Sequence, residues 1–291
     1  MKSKIALGTA QMGMHYGIAN NYGKMSESEA SAILSLARAR NIDIIDTAID
    51  YGESEMTLGR LGVSDFNVMT KLPALPNRNI NVHQWVEKEC RDSLARLGVT
   101  TLHGLLLHRP EDLLGDSGKQ LADSLQRLKS QGLARKIGVS LYQPNTLVQI
   151  FSRLDIDIVQ APLNLIDRRL VTSGWLKKLK DAGVEIHSRS TFLQGLLLMP
   201  RGNIPARFER WSSLWDAWAR WQQELDISPT VACLSYPLSL PEVDRVVIGI
   251  DSLSQLTEVI HAAFNIPVLD DLDFMATNDE LLLDPYRWNG L

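Results

Sequence analysis

The sequence alternates short apolar runs with amphipathic segments along most of its length. Eight runs rich in Ile, Val and Leu are typical of buried strands: IALG at Ile5–Gly8, IDII before Asp46, FNVMT before Lys71, LHGLLL before His108, RKIGV before Ser140, IDIV before Gln160, VEIH before Ser188 and DRVVI before Gly249. Amphipathic stretches at 26–40, 82–97, 117–131, 144–154, 169–181 and 252–263 predict helices between these runs. Short buried strands that alternate with helices indicate parallel β/α units.

Eight β/α units fit a closed (β/α)8 barrel of the TIM type, so we expect an α/β fold with a single domain over residues 1–291. An open, doubly wound sheet is the alternative. Its first strand would be followed by G-x-G-x-x-G, whereas here the turn reads GTAQMG. The first predicted helix opens with Ser26 and Glu29, which are spaced as in a capping box.

Two regions exceed what eight units require. An insert at about 200–244 carries tryptophans at helical spacing: Trp211, Trp215, Trp218 and Trp221. This stripe can pack on the barrel, contact a second copy or line a substrate mouth, and its helical spacing favours the first two. The residues after about 266 predict a C-terminal extension packed on the surface.

The overall composition excludes several classes of protein. A formal net charge of −4 over 291 residues argues against nucleic acid as a partner. Cys90 and Cys233 lie in apolar segments, which predicts buried free thiols. No apolar run approaches the ~20 residues of a membrane span, and the first residues do not resemble a signal peptide. We therefore expect a cytoplasmic protein without a membrane partner, and its oligomeric state is left open.

Polar residues stand where the predicted strands end. In a barrel of this kind the carboxyl ends of the strands form the functional face, so these side chains should meet at one mouth. They are Asp46, Lys71, His108, Ser140, Gln160, Ser188, Arg189 and the turn Gly249 to Ser252.

Tyr51 follows Asp46 by five residues, so a short loop can fold its phenol over the same mouth. A tyrosine with its ordinary pKa of ~10 is a poor acid, and a nearby ammonium favours its ionised form. We expect Lys71 to supply that charge and Asp46 to hold Lys71. His108 can hydrogen-bond a carbonyl oxygen, and no metal-ligand spacing surrounds it. The group suits proton transfer to a carbonyl.

These residues stand in segments that resemble the aldo/keto reductase family from about Gly8 to Ala263. The segments are DTAIDYG from Asp46, Lys71 at the end of the third strand, LLLHRPED around His108, GVS ending at Ser140, VQAPLN around Gln160, FLQGLL from Phe192 and IGIDSLSQLTE from Ile248. The resemblance implies an oxidoreductase that reduces an aldehyde or ketone by hydride transfer from NAD(P)H. It also implies that Tyr51 is the general acid, that Asp46 and Lys71 tune it, and that His108 positions the carbonyl.

The resemblance further implies a cofactor site along the second half of the chain. Ser140 and Gln160 stand where the family binds the carboxamide of the nicotinamide, and Gln194 and Gly195 lie in the loop that approaches the pyrophosphate. The remaining cofactor-binding candidates are Ser188, Arg189, Gly249, Asp251, Ser252, Gln255 and Glu258.

The sequence departs from the family at two of these positions. Arg189 stands where the family usually stacks an aromatic residue on the nicotinamide, although a guanidinium can also lie flat on a ring. Asp251 stands where members that prefer NADP commonly carry a basic residue, and a carboxylate there would repel the 2′-phosphate. The cofactor is therefore NADP or NAD, with NAD(H) more plausible than in the family at large.

The substrate is less determined by the sequence. His15, Tyr16 and Arg109 are candidate contacts for a small-molecule carbonyl, and the family suggests a sugar or a related polar molecule. Arg109 and Arg189 would suit an anionic group. Two alternatives stay open: a cofactor-binding regulatory or interaction protein of the same fold with little turnover, and a lyase or isomerase with Lys71 as a Schiff-base amine.

Overall fold

The computed structural model describes residues 3–20, 22–76, 80–267 and 275–290. Its strands are β1 (Ile5–Gly8), β2 (Ile44–Asp46), β3 (Asn67–Leu72), β4 (Leu102–Leu107), β5 (Ala134–Ser140), β6 (Ile158–Pro162), β7 (Glu185–Arg189) and β8 (Arg245–Gly249). Its α-helices are α1 (Ala10–Gly13), α2 (Glu27–Ala39), α3 (Ser54–Leu61), α4 (Val82–Leu97), α5 (Gly118–Ser130), α6 (Leu147–Ile150), α7 (Arg169–Thr172), α8 (Trp175–Asp181), α9 (Ser212–Leu225), α10 (Pro229–Ser239), α11 (Leu253–Phe264) and α12 (Glu280–Leu283). Short 3₁₀ turns connect several of them.

The eight strands form one closed parallel barrel in sequence order. Each strand pairs with the next, and β1 closes the barrel by pairing with β8, from Ile5 opposite Val246 to Gly8 opposite Gly249. The predicted (β/α)8 fold is confirmed. The prediction that a single domain covers residues 1–291 stays a prediction.

The barrel interior is a packed core rather than a channel. Six strands contribute one residue each to a separate buried cluster inside the barrel: Ala6, Ile44, Met69, Leu106, Ile158 and Val247. Alternate residues of a strand face the same side, so the residues two positions further on also face inward. Those residues are Gly8, Asp46, Lys71, His108, Gln160 and Gly249. The pleat of the strands thus places the polar side chains of this set at the mouth of the barrel.

The capping box predicted for α2 is only half formed. The hydroxyl of Ser26 accepts a hydrogen bond from the backbone N–H of Glu29 at 3.2 Å, as predicted. The carboxylate of Glu29 instead accepts from the backbone N–H of Leu253 at 2.5 Å. Because Leu253 opens α11, this bond joins the first long helix to the last long one across the point of barrel closure.

Two predicted helices are shorter than the sequence pattern suggested. The helix expected over 169–181 is interrupted at Gly174, whose φ of 76° lies in the left-handed region that favours glycine. It becomes α7 and α8. The helix expected over 144–154 is reduced to a 3₁₀ turn at Pro144–Thr146 followed by the single turn of α6.

The tryptophans of the insert pack inward. Trp215, Trp218 and Trp221 of α9 are buried, as an amphipathic helix on a barrel requires. The indole of Trp215 donates to the Phe208 carbonyl at 2.8 Å, and that of Trp218 donates to the Leu197 carbonyl at 3.3 Å. These contacts favour the packing interpretation over a substrate mouth.

The insert is also tied to the end of the chain. The indole of Trp211 donates to the Asp279 carboxylate at 2.9 Å, and Trp288 is buried with its indole donating to the Leu282 carbonyl at 3.1 Å. Part of the predicted C-terminal extension, residues 268–274, lies outside the described residues.

The two cysteines are free and buried, as predicted. In the part of the chain that the structure describes, no helix combines the length and apolar character needed to cross a membrane.

Gly138 permits the close approach of β5 to β6. A Cβ atom there would lie 1.9 Å from the Ile158 carbonyl oxygen, and Gly138 is paired with Ile158 across the two strands. We expect Gly138→Ala to lower the free energy of unfolding by about 3 kcal/mol, because the backbone oxygen cannot move without disturbing the barrel. Urea denaturation followed by circular dichroism measures this.

Gly202→Ala is the matched control, since a Cβ at Gly202 meets no atom within 4 Å. It should change the free energy of unfolding by less than about 0.5 kcal/mol. Equal effects of the two substitutions would contradict the account of the β5–β6 contact.

Candidate active site

One cleft opens at the carboxyl ends of the strands, and we call it the central cleft. It encloses about 960 Å³ with its open mouth included. Most of the residues that the sequence analysis assigned to a site line it: Tyr16, Asp46, Tyr51, His108, Ser140, Gln160, Arg189, Gln194, Gly195, Gly249, Asp251 and Gln255.

A buried ion pair forms the floor of the central cleft. The ammonium of Lys71 donates to Asp46 Oδ2 at 2.7 Å and to the Thr47 carbonyl at 2.8 Å. The side chains of Lys71 and Asp46 are only 1% and 5% exposed. Burial lowers the pKa of Lys71, and the adjacent Asp46 carboxylate opposes that shift by stabilising the ammonium.

The second oxygen of Asp46 extends the network across the barrel. Asp46 Oδ1 accepts from the Gln160 side-chain amide at 2.7 Å, and the hydroxyl of Ser140 donates to Gln160 Oε1 at 2.9 Å. Gln160 is therefore fixed in one orientation. One amide hydrogen of Gln160 and the lone pairs of the Ser140 hydroxyl are left for a ligand.

A tight loop places Tyr51 beside this network. The backbone N–H of Tyr51 donates to the Ala48 carbonyl, and the Tyr51 carbonyl accepts from Ser54, both at 3.0 Å. Helix α1 packs directly on the loop: a Cβ atom at Gly13 would lie 1.8 Å from the Tyr51 carbonyl oxygen. Glycine at position 13 is required for this close approach.

The ring of Tyr51 lies among the groups expected from the sequence. The Lys71 ammonium is 5.1 Å from the ring centre. The ring of His108 meets it edge to face, with 5.7 Å between centroids and an interplanar angle of 80°. His108 Nδ1 also lies 3.5 Å from a carboxylate oxygen of Asp50. Residues from the ends of three consecutive strands, β2 to β4, and from the loops after them thus meet at one end of the cleft.

Burial has the largest effect on the acidity of Tyr51. Burial raises its pKa above the usual range, the Asp46 carboxylate adds to that shift, and Arg189 opposes it. We expected Lys71 to favour the ionised phenol. Burial is the largest of these effects and keeps the phenol protonated at neutral pH, and the influence of Lys71 stays a prediction.

Arg189 occupies the wall of the cleft without a carboxylate partner. Its guanidinium carbon lies 3.9 Å from the ring centre of Tyr142, and it donates to the Leu141 carbonyl and the Ser190 hydroxyl, both at 3.0 Å. Its Nε is buried and has no partner. Within the described residues, the contacts of Arg189 are a ring, a carbonyl and a hydroxyl, so its charge is not neutralised by an acid.

Several buried polar atoms of the cleft lack a hydrogen-bond partner in the protein. They are Gln11 Oε1, Arg189 Nε, Thr191 Oγ1 and Asp251 Oδ1, and all four residues line the cleft. Buried polar groups are normally paired, so these atoms are available to a polar ligand. A long ligand with amide, hydroxyl and phosphate groups fits this set of donors and acceptors.

A sequence model of the aldo/keto reductase family matches residues 4–281 of this chain. The chain belongs to that family. This aldo/keto reductase is therefore an NAD(P)H-dependent oxidoreductase that reduces carbonyl groups, and its cofactor is NADP or NAD.

Known proteins similar to this aldo/keto reductase cover nearly all of it. The uncharacterized oxidoreductase YqkF of Bacillus subtilis is 24% identical over 285 residues, which is 90% of each chain. The D-threo-aldose 1-dehydrogenase of a Pseudomonas species is 26% identical, over 90% of this chain and 92% of its own. An aldo-keto reductase of Bacillus halodurans, solved in its holo form, shares the fold: the TM-score is 0.73 at 20% identity, over 95% of this chain and 93% of that one.

Three cofactor candidates of this aldo/keto reductase do not line the cleft. Ser188 precedes Arg189 in β7 and so faces the other side of the strand, where its hydroxyl donates to the Arg245 carbonyl at 3.4 Å. Ser252 caps α11 by accepting from the backbone N–H of Gln255 at 3.2 Å. Glu258 is exposed on the same helix.

Two substrate candidates also lie outside the cleft lining. His15 is exposed, and its Nε2 lies 2.9 Å from the Asn20 carbonyl oxygen. Arg109 is exposed and lies 3.6 Å from the Asp112 carboxylate. Of the three substrate candidates, the structure brings only Tyr16 to the cleft.

The structure adds residues that the sequence analysis missed, above all Gln11, Tyr142 and Thr191. Tyr142 stands two residues after Ser140, and Gln11 lies in the GTAQMG turn after β1, so both follow strand ends. A search that included the first three residues after each strand would have found them.

Proposed function

We propose that this aldo/keto reductase reduces the aldehyde or keto group of a sugar or a related small polar molecule, with Tyr51 as the proton donor. The observation that carries the proposal is the convergence of Tyr51 and His108 over the buried Lys71–Asp46 pair. A protonated phenol above a fixed ammonium can give up a proton to the carbonyl oxygen while the ammonium stabilises the phenolate that forms.

Each neighbour of Tyr51 has a separate task in the proposed proton transfer. Lys71 supplies the positive charge, and Asp46 holds the ammonium in place. Burial, with the Asp46 carboxylate adding to it, keeps the resting phenol protonated. His108 lies at the edge of the Tyr51 ring, where its ring N–H can donate to the same carbonyl oxygen and orient it. Asp50 contacts His108 and orients its imidazole.

The residues of the cleft also fit the cofactor, which supplies the hydride when bound. Ser140 and Gln160 would hold the carboxamide of the nicotinamide, because each keeps hydrogen-bonding capacity after its internal bonds are made. Gln194 and Gly195 line the cleft in a turn with φ angles of 53° and 90°, and by similarity to the family this turn would approach the pyrophosphate.

The adenosine end would be held at the turn after β8. The backbone N–H of Asp251 donates to Gln255 Oε1 at 2.7 Å, which closes the turn that follows Gly249. The carboxylate of Asp251 keeps a free oxygen that can accept from ribose hydroxyls. Burial raises the pKa of this carboxyl, and the nearby Gln11 amide opposes that shift.

The polar lining of the Tyr51 end supports a small polar substrate. Tyr16 and Tyr142 face the same space as His108, and their hydroxyl groups suit the hydroxyls of a sugar. The relative from Pseudomonas is named for the oxidation of an aldose. A Schiff-base role for Lys71 is disfavoured, because its side chain is 1% exposed and its ammonium is held by both Asp46 and the Thr47 carbonyl.

Replacing the phenol of Tyr51 tests the proposed chemistry. We expect Tyr51→Phe to lower kcat for aldehyde reduction by about 10²- to 10⁴-fold, because the proton donor is lost while the ring and its packing are kept. The affinity for NADH or NADPH, measured by fluorescence titration, should change less than about twofold.

Tyr22→Phe is the control, since Tyr22 is 87% exposed and outside the cleft. It should leave both quantities unchanged. A Tyr51→Phe enzyme with full turnover would overturn the proposed role of Tyr51. A wild-type protein that binds the cofactor tightly without turnover on any aldose or aldehyde would favour the regulatory alternative.

The charge of Asp251 predicts the cofactor preference. We expect the wild type to bind NADH more tightly than NADPH, because the carboxylate repels a 2′-phosphate at close range. Asp251→Asn keeps the shape and removes the charge, so the affinity for NADPH should rise about tenfold, which is a gain of about 1.4 kcal/mol. The affinity for NADH should change less, and fluorescence titration measures both.

Glu258→Gln is the control for this prediction, because Glu258 carries the same charge on the exposed side of α11. It should leave the ratio of the two affinities unchanged. If the ratio of the NADH and NADPH affinities changed in Glu258→Gln but not in Asp251→Asn, the adenosine end would not be bound at Asp251.

A further inference from the structure

We propose that Arg189 makes this protein discriminate between the two redox forms of its cofactor, so that the reduced form binds more tightly than the oxidised form. This inference rests on the proposed function, because it requires the nicotinamide ring to react at the Tyr51 end of the cleft. Arg189 would act through the positive charge of its guanidinium and not through packing alone.

The position of the nicotinamide follows from the proposed chemistry. Hydride transfer requires the donor and the carbonyl carbon to lie about 3–3.5 Å apart. The carbonyl is held by Tyr51 and His108, so the ring must lie within the same end of the cleft. Arg189 belongs to that end, because it lines the cleft and because its charge opposes the raised pKa of Tyr51.

The contacts of Arg189 link it directly to the proposed ring site. Its guanidinium donates to the Leu141 carbonyl, and Leu141 follows Ser140, whose hydroxyl bonds Gln160. The two residues that would hold the carboxamide therefore adjoin the residue that anchors the guanidinium.

Arg189 is the only cation without a carboxylate partner that we find at this end among the described residues. Lys71 is neutralised by Asp46 at 2.7 Å. Asp50 is half-exposed and faces His108 rather than Arg189. A guanidinium stays charged at every accessible pH, so this positive charge cannot be removed by titration.

The guanidinium is also held in place. It is anchored by the Leu141 carbonyl and the Ser190 hydroxyl, and one face lies on the Tyr142 ring. Tyr142 is in turn packed edge to face against Tyr286, with 5.1 Å between centroids. Arg189 therefore cannot swing away to relieve a repulsion.

The two redox forms of the cofactor differ at the ring that this charge faces. The oxidised nicotinamide carries one positive charge, and the reduced ring is neutral. A fixed cation in a partly desolvated site disfavours a second cation nearby. The reduced cofactor is thus favoured on entry, and the oxidised cofactor dissociates more readily after reaction.

The test measures dissociation constants rather than turnover. Kd values for NADH, NAD⁺ and ADP-ribose are measured by isothermal titration calorimetry for the wild type, Arg189→Gln, Arg189→Lys and Arg109→Gln, or with the phosphorylated series if NADPH binds better. We expect wild-type NAD⁺ to bind about tenfold or more weakly than NADH. Arg189→Gln should lower the ratio of the NAD⁺ Kd to the NADH Kd about tenfold, mainly because NAD⁺ binds more tightly. Arg189→Lys should leave this ratio unchanged.

Arg109→Gln is the matched control, since it removes an exposed arginine beside His108 and should leave the ratio unchanged. ADP-ribose provides a test that needs no variant: because it lacks the ring, it should bind the wild type at least as tightly as NAD⁺ does. The proposal would be overturned if the wild type bound NAD⁺ and NADH more tightly than ADP-ribose by the same factor. It would also be overturned if Arg189→Gln weakened the binding of both redox forms equally.

Failure of this inference and failure of the proposed function give different results. If only the inference fails, both redox forms bind with similar affinity and turnover still depends on Tyr51. If the proposed function fails, neither form binds to the folded protein or turnover does not depend on Tyr51.

Discussion

The buried pair of Lys71 and Asp46 is the interaction on which the rest of the site depends. Asp46 uses one oxygen to hold the ammonium and the other to fix Gln160, so a single carboxylate joins β2, β3 and β6 beneath the cleft. Charges this deeply buried are costly unless they are paired and hydrogen-bonded. The pair therefore places a positive charge under Tyr51 while keeping the total charge of the floor near zero, and burial together with the Asp46 carboxylate keeps the phenol protonated at rest.

The pleat of the strands explains how much of this arrangement the sequence could predict. Alternate residues face the barrel interior, so an apolar residue in the middle of a strand and a polar residue two positions later share one side. Ile44 and Asp46, Met69 and Lys71, and Ile158 and Gln160 follow this rule. For this reason both the fold class and the residues that meet at the cleft floor could be predicted from the sequence.

The same rule shows where the sequence was insufficient. Ser188 and Arg189 are adjacent and cannot both face the cleft, but the sequence did not fix the end of β7, so both were proposed. The stacking of Arg189 on Tyr142 joins the end of β7 to the loop after β5, and only the folded structure brings these distant residues together. Likewise, the burial that raises the pKa of Tyr51 could not be predicted from any local motif.

The most direct test of the account is a double-mutant cycle on the buried pair, with Lys71→Met, Asp46→Asn and the double variant compared by urea denaturation. Each single variant leaves a buried group without its partner, so each should lower the free energy of unfolding by about 3–5 kcal/mol. The double variant should lose at least about 2 kcal/mol less than the sum of the two single effects. Strictly additive losses would show that Lys71 and Asp46 do not act as one unit, and would contradict the account of the cleft floor.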